Sequence, residues 1–490
     1  MTQTEYLQII ETVNSTGKYR PDWESLAGHK TPDWYRRGKF GIFIHWGVYS
    51  VPAFGSEWYS RNMYDPCRRE FEHHRRNWGD QKEFGYKDFI PLFRGEHFDP
   101  RDWLSLFRQA GARFILPVAE HHDGFSMYAT DLNRWNSVDM GPGRDVMGQL
   151  RAACEEAGLH FCVSTHRAEN YFFYNMGRTF DSDVNDDNYR DLYGPAFHDP
   201  ALERDTLDAT TSNIYAVGAT EEWMEQWMVR TCELIDRCRP KVLYFDWWIQ
   251  NRCFRPWLKK ITAYYYNRAE EWGEEVTITH KHNALPPTVG TFDVERGALT
   301  DISPRTWQTD TAIGRNSWGY TRDNDFKSSR QLICDLIDIV SKNGVMLLNV
   351  GPRADGTITQ EERAVLLDMG KWLAVNGEGI YDTTFWQAFG EGKVNAREGF
   401  FMDGEEKPFT HEDFRFTYKG GSIYAFQMRP SGKTVRIRTL RRKDRNDFPV
   451  TRVTCLSGGV TGWERTEEAL VIRLEKQPEN DLPICFKIEM

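Results

Sequence analysis

The stretch IDRCRPKVLYFD, residues 235–246, shows the local pattern that decides the fold class. It combines the end of a helix-like segment, a proline that cannot continue a helix, and a short apolar strand. The same order, with glycine or proline at the stop, recurs at residues 106–118, 153–164, 269–279 and 340–350. Five repeats of helix followed by strand predict a parallel sheet with helices outside it, which is an α/β fold.

Further strand candidates raise the count. An opening strand lies in KFGIFIHWG, residues 39–47, and weaker candidates lie at residues 291–297 and 305–310, which gives about eight strands between residues 30 and 380. Eight βα units favour a closed barrel over an open sheet, and no G-x-G-x-x-G motif follows the first strand. We therefore predict a (β/α)8-like (TIM-type) barrel as a catalytic domain over residues 1–385. The polar, aperiodic residues 175–220 are expected to form a long loop over its mouth.

The hydrophobic pattern changes after about residue 385 to a period of two. Such alternation is typical of antiparallel strands with one buried face, and glycine pairs at 420–421 and 458–459 mark turns. The alternating sets are Phe414/Phe416/Tyr418, Ile423/Ala425, Leu470/Ile472/Leu474 and Ile484/Phe486/Ile488. We predict a C-terminal antiparallel β-sandwich over residues 386–490.

Composition excludes several functional classes. The 490 residues carry 72 acidic and 62 basic side chains, a net charge of −10, so neither nucleic acid nor an anionic membrane is an expected partner. No apolar stretch approaches the roughly 18 residues of a membrane span. The first residues lack the pattern of a secretory signal, so we expect a cytoplasmic protein, or a secreted or periplasmic one if a leader has been removed. The nine cysteines contain no C-x-x-C and are expected to be reduced and structural.

Polar residues follow the predicted strands at their carboxyl ends, where the loops of a barrel build an active site. Burying such groups without partners costs about 1–3 kcal/mol each, so their coincidence indicates a ligand site. In strand order they are His45, Trp46, Glu57 and Trp58; Glu120, His121, His122 and Asp123; His166; Asp246; and Lys281, Glu295 and Asp310.

Each of these residues could also have a structural role instead of a functional one. Asp246 could pair with an arginine, and Glu295 could form a salt bridge with its neighbour Arg296. Neighbours on a strand point to opposite faces, so one residue of the pair 121–122 could bind a ligand while the other packs in the core. The histidines at 280 and 282 share a face and could hold a metal, although no further ligand completes the site. The pair 73–74 is interpreted as solvated surface.

Five strings resemble the α-L-fucosidases of glycoside hydrolase family 29, and the resemblance runs in order from about residue 18 to 385. It implies a (β/α)8-like barrel followed by a β-sandwich, and hydrolysis of α-L-fucosides with retention, without metal or cofactor. The strings are KFGIFIHWGVYSVPAFGSEWYSRNMY (39–64), AEHHDGFSMY (119–128), YFDWW (244–248), WQTDTAIGRNSWGY (307–320) and SKNGVMLLNVGPRADGTI (341–358).

The resemblance also implies roles. Asp246 matches the nucleophile, which attacks the anomeric carbon and forms a covalent fucosyl-enzyme. Glu295 is our choice of general acid/base, with Asp293 and Glu57 as rivals. Lys281 stands where the family often has an arginine, although an ammonium does not reproduce a guanidinium fork. The expected substrate-binding residues are His45, Trp46, Glu57, Trp58, His121, His122, His166, Lys281, Trp307 and Trp318.

We therefore expect a retaining exo-α-L-fucosidase that removes terminal α-L-fucose from a fucosylated oligosaccharide or glycoconjugate. It would need no cofactor and no metal, and it would bind neither nucleic acid nor membrane; a homo-oligomer is possible. The alternatives are a related α-L-glycosidase such as an α-L-galactosidase, a sugar-binding barrel that has lost catalysis, and a metal-dependent amidohydrolase that uses the histidine-rich rim. The presence of both catalytic carboxylates argues against the inactive barrel.

Overall fold

A computed structural model describes residues 1–197, 219–403, 408–442 and 447–490. The α-helices within them are α1 (Gln3–Thr16), α2 (Trp23–Leu26), α3 (Asp33–Gly38), α4 (Tyr59–Asn62), α5 (Arg69–Asn77), α6 (Pro100–Gln109), α7 (Val146–Ala157), α8 (Asn170–Phe173), α9 (Arg190–Tyr193), α10 (Glu221–Cys238), α11 (Arg255–Trp272), α12 (Ser329–Ser341) and α13 (Gln360–Asn376).

The strands fall into a parallel group and an antiparallel group. The parallel strands are β1 (Phe40–Ile44), β2 (Phe114–Glu120), β3 (His160–Phe161), β4 (Val163–Thr165), β5 (Val242–Phe245), β6 (Thr277–His280), β7 (Thr291–Asp293), β8 (Trp307–Ala312) and β9 (Gly344–Val350). The antiparallel strands are β10 (Thr384–Glu391), β11 (Phe414–Lys419), β12 (Ser422–Gln427), β13 (Thr434–Ile437), β14 (Arg452–Cys455), β15 (Val460–Arg465), β16 (Leu470–Leu474) and β17 (Ile484–Glu489).

The parallel strands close into a barrel. Strand β1 pairs with β9 on one side and with β2 on the other, and the sheet runs on through β8, β7, β6, β5 and β4 back to β2. Strands β3 and β4 both pair with β2 and are two parts of one strand interrupted at Cys162. The barrel therefore has eight strand positions, and the predicted (β/α)8-like architecture is confirmed.

Helices cover the barrel unevenly. Helices α6, α7, α10, α11 and α12 lie between successive strands, but the links at residues 281–290 and 294–306 contain no helix. These links are short and carry prolines, which interrupt helices. The barrel is therefore open to other segments beside β6, β7 and β8, and that region borders the cavity described below.

Helix stops lie where the sequence predicts them. Gly158 and Gly273 end α7 and α11 in the left-handed region, with φ of 69° and 68°. Arg239 takes the same region, with φ of 43°, directly before Pro240. The chain leaves each helix at these residues and enters the next strand.

The barrel interior is packed by side chains at alternate strand positions. Its apolar residues are Tyr35, Phe43, Phe114, Leu116, Val118, Cys162, Val242, Tyr244, Val345 and Leu347. A larger apolar core lies between the strands and the surrounding helices. Because residues two apart on a strand share a face, the next inward positions at the carboxyl ends hold polar residues of the site.

The carboxyl-terminal residues form the predicted sandwich. Strands β10, β11, β12, β17 and β14 make one antiparallel sheet, and β13, β16 and β15 make the other, with an apolar core between them. Since β10 begins at Thr384, we propose a domain boundary just before that residue, so that the strand stays whole. Arg415 of β11 donates to Asp338 of α12, and Trp372 of α13 donates to the carbonyl of Pro483 at 2.7 Å.

Other expectations can be compared with the structure. The interpretation of His74 as solvated surface is wrong: it is fully buried, and its Nε2 lies 2.8 Å from the carbonyl oxygen of Phe84, because the α5 helix turns that side inward. Residues 198–218 of the predicted loop at 175–220 lie outside the described residues, and the described part, 175–197, contains short helical turns and α9. The cysteines are free thiols, and Cys67 is exposed. Among the described residues, every helix is too short or too polar to cross a membrane.

Candidate active site

A cavity of about 420 Å³ opens at the carboxyl ends of the barrel strands. Phe43 and Tyr244 form its floor, with ring centroids 5.0 Å apart, because they precede His45 and Asp246 by two residues and therefore lie deeper in the barrel. The other lining residues are His45, Glu57, Trp58, Arg61, His121, His122, His166, Glu169, Phe172, Asp246, Trp247, Trp248, Glu295, Asp310, Trp318 and Phe401.

Asp246 follows β5 and is 9% exposed. Its Oδ2 lies 3.1 Å from His166 Nδ1 and 3.4 Å from His122 Nε2. Burial alone would raise the pKa of Asp246, but charge and hydrogen bonding from His166 and His122 outweigh it and hold the pKa well below its usual range. Asp246 is therefore an ionised carboxylate that faces the cavity.

His122 is clamped between acceptors. Its Nδ1 donates to the carbonyl of His166 at 2.6 Å, and its Nε2 lies 3.7 Å from Glu169 Oε1 as well as near Asp246. Burial would lower the pKa of His122, but the Glu169 and Asp246 carboxylates together raise it to about 9. His122 is thus a cation at neutral pH, and it neutralises part of the buried negative charge.

Glu295 follows β7 and is in a different environment. Its Oε2 accepts a hydrogen bond from Trp247 Nε1 and lies 3.3 Å from Lys281 Nζ. Burial raises the pKa of Glu295 to about 7, although the Lys281 charge opposes the shift. Glu295 therefore keeps its proton to a higher pH than an ordinary glutamate, whereas Asp246 is ionised.

Lys281 lies behind Glu295 and is fully buried. Its Nζ is 2.5 Å from Asp293 Oδ2 and 3.0 Å from both oxygens of Asp310. Tyr244 donates to Asp310 at 2.8 Å. Burial and the neighbouring Asp310 raise the pKa of Asp293 well above its usual range, so the cluster reduces its negative charge by holding Asp293 protonated.

His45 and Glu57 are held by the last two barrel strands and their loops. His45 Nδ1 donates to Asn349 Oδ1 at 2.7 Å, and Asn349 Nδ2 donates to the carbonyl of Trp318 at 2.7 Å. Glu57 Oε2 accepts from Ser317 Oγ and from the Trp318 backbone N–H, both at 2.9 Å. Burial lowers the pKa of His45, so a neutral imidazole faces the cavity.

Both residues of the pair His121–His122 line the cavity, because they follow the end of β2 and a register shift interrupts its pairing with β4 between Val118 and Glu120. The strand alternation that would separate them therefore no longer applies. Burial lowers the pKa of His121, and its buried Nδ1 has no protein partner. The interpretation that one of the two packs in the core does not describe this structure.

The comparisons with known proteins agree on one family. The model of the α-L-fucosidase family matches residues 6–378. The tissue α-L-fucosidase of Macaca fascicularis is 30% identical and covers 96% of this chain and 90% of its own length. The plasma α-L-fucosidase of Homo sapiens is 30% identical and covers 76% of this chain and 74% of its own length.

The chain belongs to the α-L-fucosidase family. The crystal structure of Thermotoga maritima α-fucosidase in complex with fucose is 29% identical, with a TM-score of 0.73, over 96% of this chain and 100% of that one. The predicted family and fold are confirmed. The chain is therefore a glycoside hydrolase, and its family hydrolyses α-L-fucosides.

Nine of the twelve site residues predicted from sequence line the cavity, and Trp46, Trp307 and Lys281 do not. Trp46 packs on Phe93, with centroids 4.9 Å apart, and donates to the carbonyl of Arg353 at 2.7 Å. Trp307 is fully buried against α12 and donates to the carbonyl of Lys342 at 2.9 Å. Lys281 contacts the acidic cluster and Glu295 but does not line the cavity.

Sequence reasoning missed several lining residues of this family member. Arg61 donates to the carbonyl of Phe173 at 2.6 Å, and Glu169 lies beside His122. Trp248 and Phe401 take positive φ values of 79° and 59°. Glu169 and Trp248 each lie within four residues of a strand end, and Arg61 and Trp248 fall inside two of the strings quoted above, so these positions were the available signals; Phe401 had none.

Within the part of the chain that the structure describes, two groups of three metal-ligating side chains have ligand atoms within 4.8 Å of one another: His45, His121 and His166; and His122, His166 and Asp246. In the second group the closeness is explained by the ion pair between Asp246 and His122. His280 and His282, which the sequence left open as a metal pair, belong to neither group, and His280 Nδ1 lies 3.3 Å from the carbonyl of Lys281. The metal interpretation therefore moves from the 280–282 pair to the imidazoles of the first group.

The structure also replaces two interpretations that the sequence left open, an Asp246–arginine pair and a Glu295–Arg296 salt bridge. Asp246 pairs with two histidines rather than with an arginine. Arg296 lies 3.6 Å from Asp403 and donates to the carbonyl of Gly314, so its described partners do not include Glu295. Glu120 is held by Arg167 and Arg230 at 2.8 Å each and does not reach the cavity.

Proposed function

We propose that this protein is a retaining exo-α-L-fucosidase in which Asp246 is the nucleophile and Glu295 is the general acid/base. The observation that carries the proposal is that one cavity holds two buried carboxyl groups in different surroundings: Asp246 lies against two imidazoles, whereas Glu295 accepts from the Trp247 indole, and their pKa values shift in opposite directions. Two carboxyl groups with separated pKa values are the arrangement that acid/base and nucleophilic roles require. Because the chain belongs to the α-L-fucosidase family, the sugar that is released in this proposal is α-L-fucose.

In the first step, the ionised Asp246 carboxylate attacks the anomeric carbon while Glu295 protonates the departing oxygen. His122 and His166 hold the carboxylate through Oδ2, which leaves the other oxygen for the sugar. In the second step Glu295, now a carboxylate, removes a proton from water, and the water displaces Asp246. The configuration at the anomeric carbon is inverted twice and so retained.

The remaining lining residues suit a single sugar. The neutral imidazoles of His45 and His121 can donate to or accept from hydroxyl groups, and the carboxylate of Glu57 can accept from them. Trp58 and Trp318 offer apolar ring surface, which suits the methyl group that fucose has in place of a 6-hydroxyl. The floor formed by Phe43 and Tyr244 ends the cavity inside the barrel, which favours terminal fucose on a fucosylated glycan.

Hydrolysis of an aryl α-L-fucoside tests the proposal, with the β-L-fucoside and the α-L-galactoside as matched substrates. The expected result is hydrolysis of the α-L-fucoside alone, or at least tenfold faster than either comparison. Faster hydrolysis of the galactoside would replace fucose by the related sugar. Activity on none of the three would support a barrel that binds sugar without catalysis.

One arm of that assay addresses metal chemistry. The imidazoles of His45, His121 and His166 are close enough to share an ion, so the same reaction should be run after dialysis against a chelator. The double-displacement mechanism predicts unchanged activity. Loss of activity that zinc or another divalent cation restores would favour a metal-dependent hydrolase.

A further inference from the structure

One large apolar side chain stands out at the rim of the cavity. Phe401 is 52% exposed, and among the exposed large apolar residues in the described ranges it alone lines the cavity. Leaving an aromatic ring in water forgoes the free energy of burial. Such a ring at a binding site is an available contact surface for a ligand.

Phe401 reaches the barrel from the sandwich side of the chain. It belongs to residues 398–403, here called the rim strap, between β10 and β11. The strap pairs with the segment after β7: Phe401 N–H donates to the Glu295 carbonyl at 2.9 Å, and Asp403 N–H donates to the Arg296 carbonyl at 2.8 Å. It lies where the barrel lacks a helix, so a segment outside the barrel helps to form the cavity.

The strap holds Phe401 in an unfavourable backbone conformation. Its φ is 59°, and that of Arg296 on the facing segment is 44°. A non-glycine residue in the left-handed region costs about 1–3 kcal/mol and persists where surrounding contacts fix it. Here Asp403 supplies such contacts, because its carboxylate accepts hydrogen bonds from Lys327 Nζ and from Thr311 Oγ1.

The position of Phe401 relative to Glu295 indicates what it contacts. A general acid must reach the oxygen between the fucose and the leaving group, so the leaving group lies beside Glu295. Trp247 donates to the Glu295 carboxyl, and the Phe401 ring lies nearly parallel to Trp247, with centroids 6.1 Å apart at an interplanar angle of 16°. The exposed Phe401 ring therefore flanks the side from which the leaving group departs.

We propose that Phe401 is a specificity-determining platform for the sugar next to the fucose. The inference rests on the proposed function and extends it. The occupant is a pyranose ring that lays its apolar C–H face on the Phe401 ring, because an aromatic face binds apolar surface. Phe401 then contributes to glycan hydrolysis and not to the chemistry on fucose itself.

The experiment compares Phe401→Ala with wild type on two kinds of substrate. α-L-Fucosyl fluoride has no sugar leaving group, whereas fucosyl disaccharides with 1,2, 1,3, 1,4 and 1,6 linkages to a hexose or hexosamine place a ring on the platform. We expect kcat/KM for the best disaccharide to fall about tenfold, which corresponds to about 1.4 kcal/mol. For the fluoride, kcat/KM should stay within about twofold.

Matched variants separate the platform from a structural role. Phe385→Ala removes another exposed phenylalanine, on β10 and away from the cavity, and should leave both substrates unchanged. Phe401→Tyr keeps the aromatic face and should retain disaccharide activity. The midpoint of thermal unfolding of each variant shows whether the substitution has destabilised the protein.

Each other outcome has a distinct meaning. Equal loss on fluoride and disaccharide would show that Phe401 supports Glu295 instead and would overturn the inference, as would unchanged disaccharide activity in Phe401→Ala. Wild-type hydrolysis of the fluoride without any disaccharide would also overturn it. If the wild-type protein did not hydrolyse α-L-fucosyl fluoride, the proposed α-L-fucosidase function itself would be rejected.

Discussion

At the scale of single residues, the surroundings of two carboxyl groups divide the chemical work. Asp246 lies between imidazoles, one of them cationic, whereas Glu295 lies in a buried position that favours its protonated form. The cavity therefore offers an ionised carboxylate and a carboxyl group that favours its proton, which is the pair that the proposed mechanism requires. Three predictions follow from this division and concern Asp246, Glu295 and Trp247.

Asp246→Gly should lower kcat/KM on an aryl α-L-fucoside by more than about 1,000-fold, or about 4 kcal/mol, because it removes the carboxylate that attacks the anomeric carbon in the proposed mechanism. Added azide should restore turnover and give β-L-fucosyl azide, since the anion enters where the carboxylate was. Glu57→Gly is the control: it also removes a carboxylate from the cavity, and azide should not rescue it. Residual activity above about a tenth of wild type would assign the nucleophile elsewhere.

Glu295→Ala should lose far more activity on natural fucosyl linkages than on an activated aryl fucoside, because a good leaving group needs little protonation. Wild-type activity should fall as pH rises through about 7, where Glu295 loses the proton that the first step uses. That basic limb should be absent in the variant. If all substrates lost the same factor and the pH profile stayed intact, Asp293 and then Glu57 would be the next candidates.

Trp247→Phe should move the basic limb of the pH profile to higher pH. The indole N–H stabilises the ionised Glu295 carboxylate and so opposes the rise of its pKa, and phenylalanine keeps the ring without this donor. Trp318→Phe removes an indole from the same cavity without touching Glu295, and the limb should keep its position even if the rate changes. A limb that moves equally in both variants would contradict the specific hydrogen bond.

At the scale of elements, strand alternation accounts for the site residues that sequence could place. His45, His166 and Asp246 follow interior residues at a spacing of two, so their direction could be inferred from the strands alone. Strand alternation alone could not place both residues of the 121–122 pair, because the register shift in β2 is set by its neighbours; the family resemblance assigned both to the site. The rings of Trp46 and Trp307 resemble sugar-binding residues in sequence but fill gaps between elements.

The remaining site residues could not be predicted from the strand pattern. Arg61, Glu169 and Phe401 lie beyond strand ends, and their directions depend on contacts with segments far along the chain. Phe401 is the extreme case, since its strap is part of the link between β10 and β11 and reaches Glu295 only in the folded state. The pairing of Lys281 with three carboxyls likewise required the closed barrel.

The contact between α12 and β11 gives a prediction about stability. Arg415 and Lys342 outweigh burial and lower the pKa of Asp338. Arg415→Met should lower the free energy of unfolding by about 3–5 kcal/mol, because it leaves a buried charge with one partner fewer. Since the paired Asp338 has a depressed pKa, this contribution is present above about pH 4 and lost as pH falls.

Denaturant unfolding at pH 7 measures that loss. Arg438→Met is the matched control, because the Arg438–Glu412 pair is exposed and such pairs contribute little. The control should unfold within about 0.5 kcal/mol of wild type. Equal stability of the two variants would show that the α12–β11 ion pair does not stabilise the docking of the sandwich on the barrel.

At the scale of the whole molecule, the two domains meet both structurally and at the site. The barrel places the proposed nucleophile after β5 and the proposed acid/base after β7, with β6 between them, and the link within the sandwich adds the rim strap beside Glu295. Strands fix the reacting groups, since they are the most rigid elements, and the strap fixes the entrance. Changes in the strap should therefore alter glycan choice before they alter the reaction.

The central claim is that Asp246 forms a covalent bond to fucose, and trapping that bond tests it most directly. In 2-deoxy-2-fluoro-α-L-fucosyl fluoride, the ring fluorine slows both steps while the fluoride leaving group favours the first, so the fucosyl-enzyme should accumulate. Peptide mass spectrometry should then find one fluorofucosyl group on the peptide that contains Asp246. A label on any other carboxylate, or continued turnover of this reagent with no labelled peptide, would contradict the account.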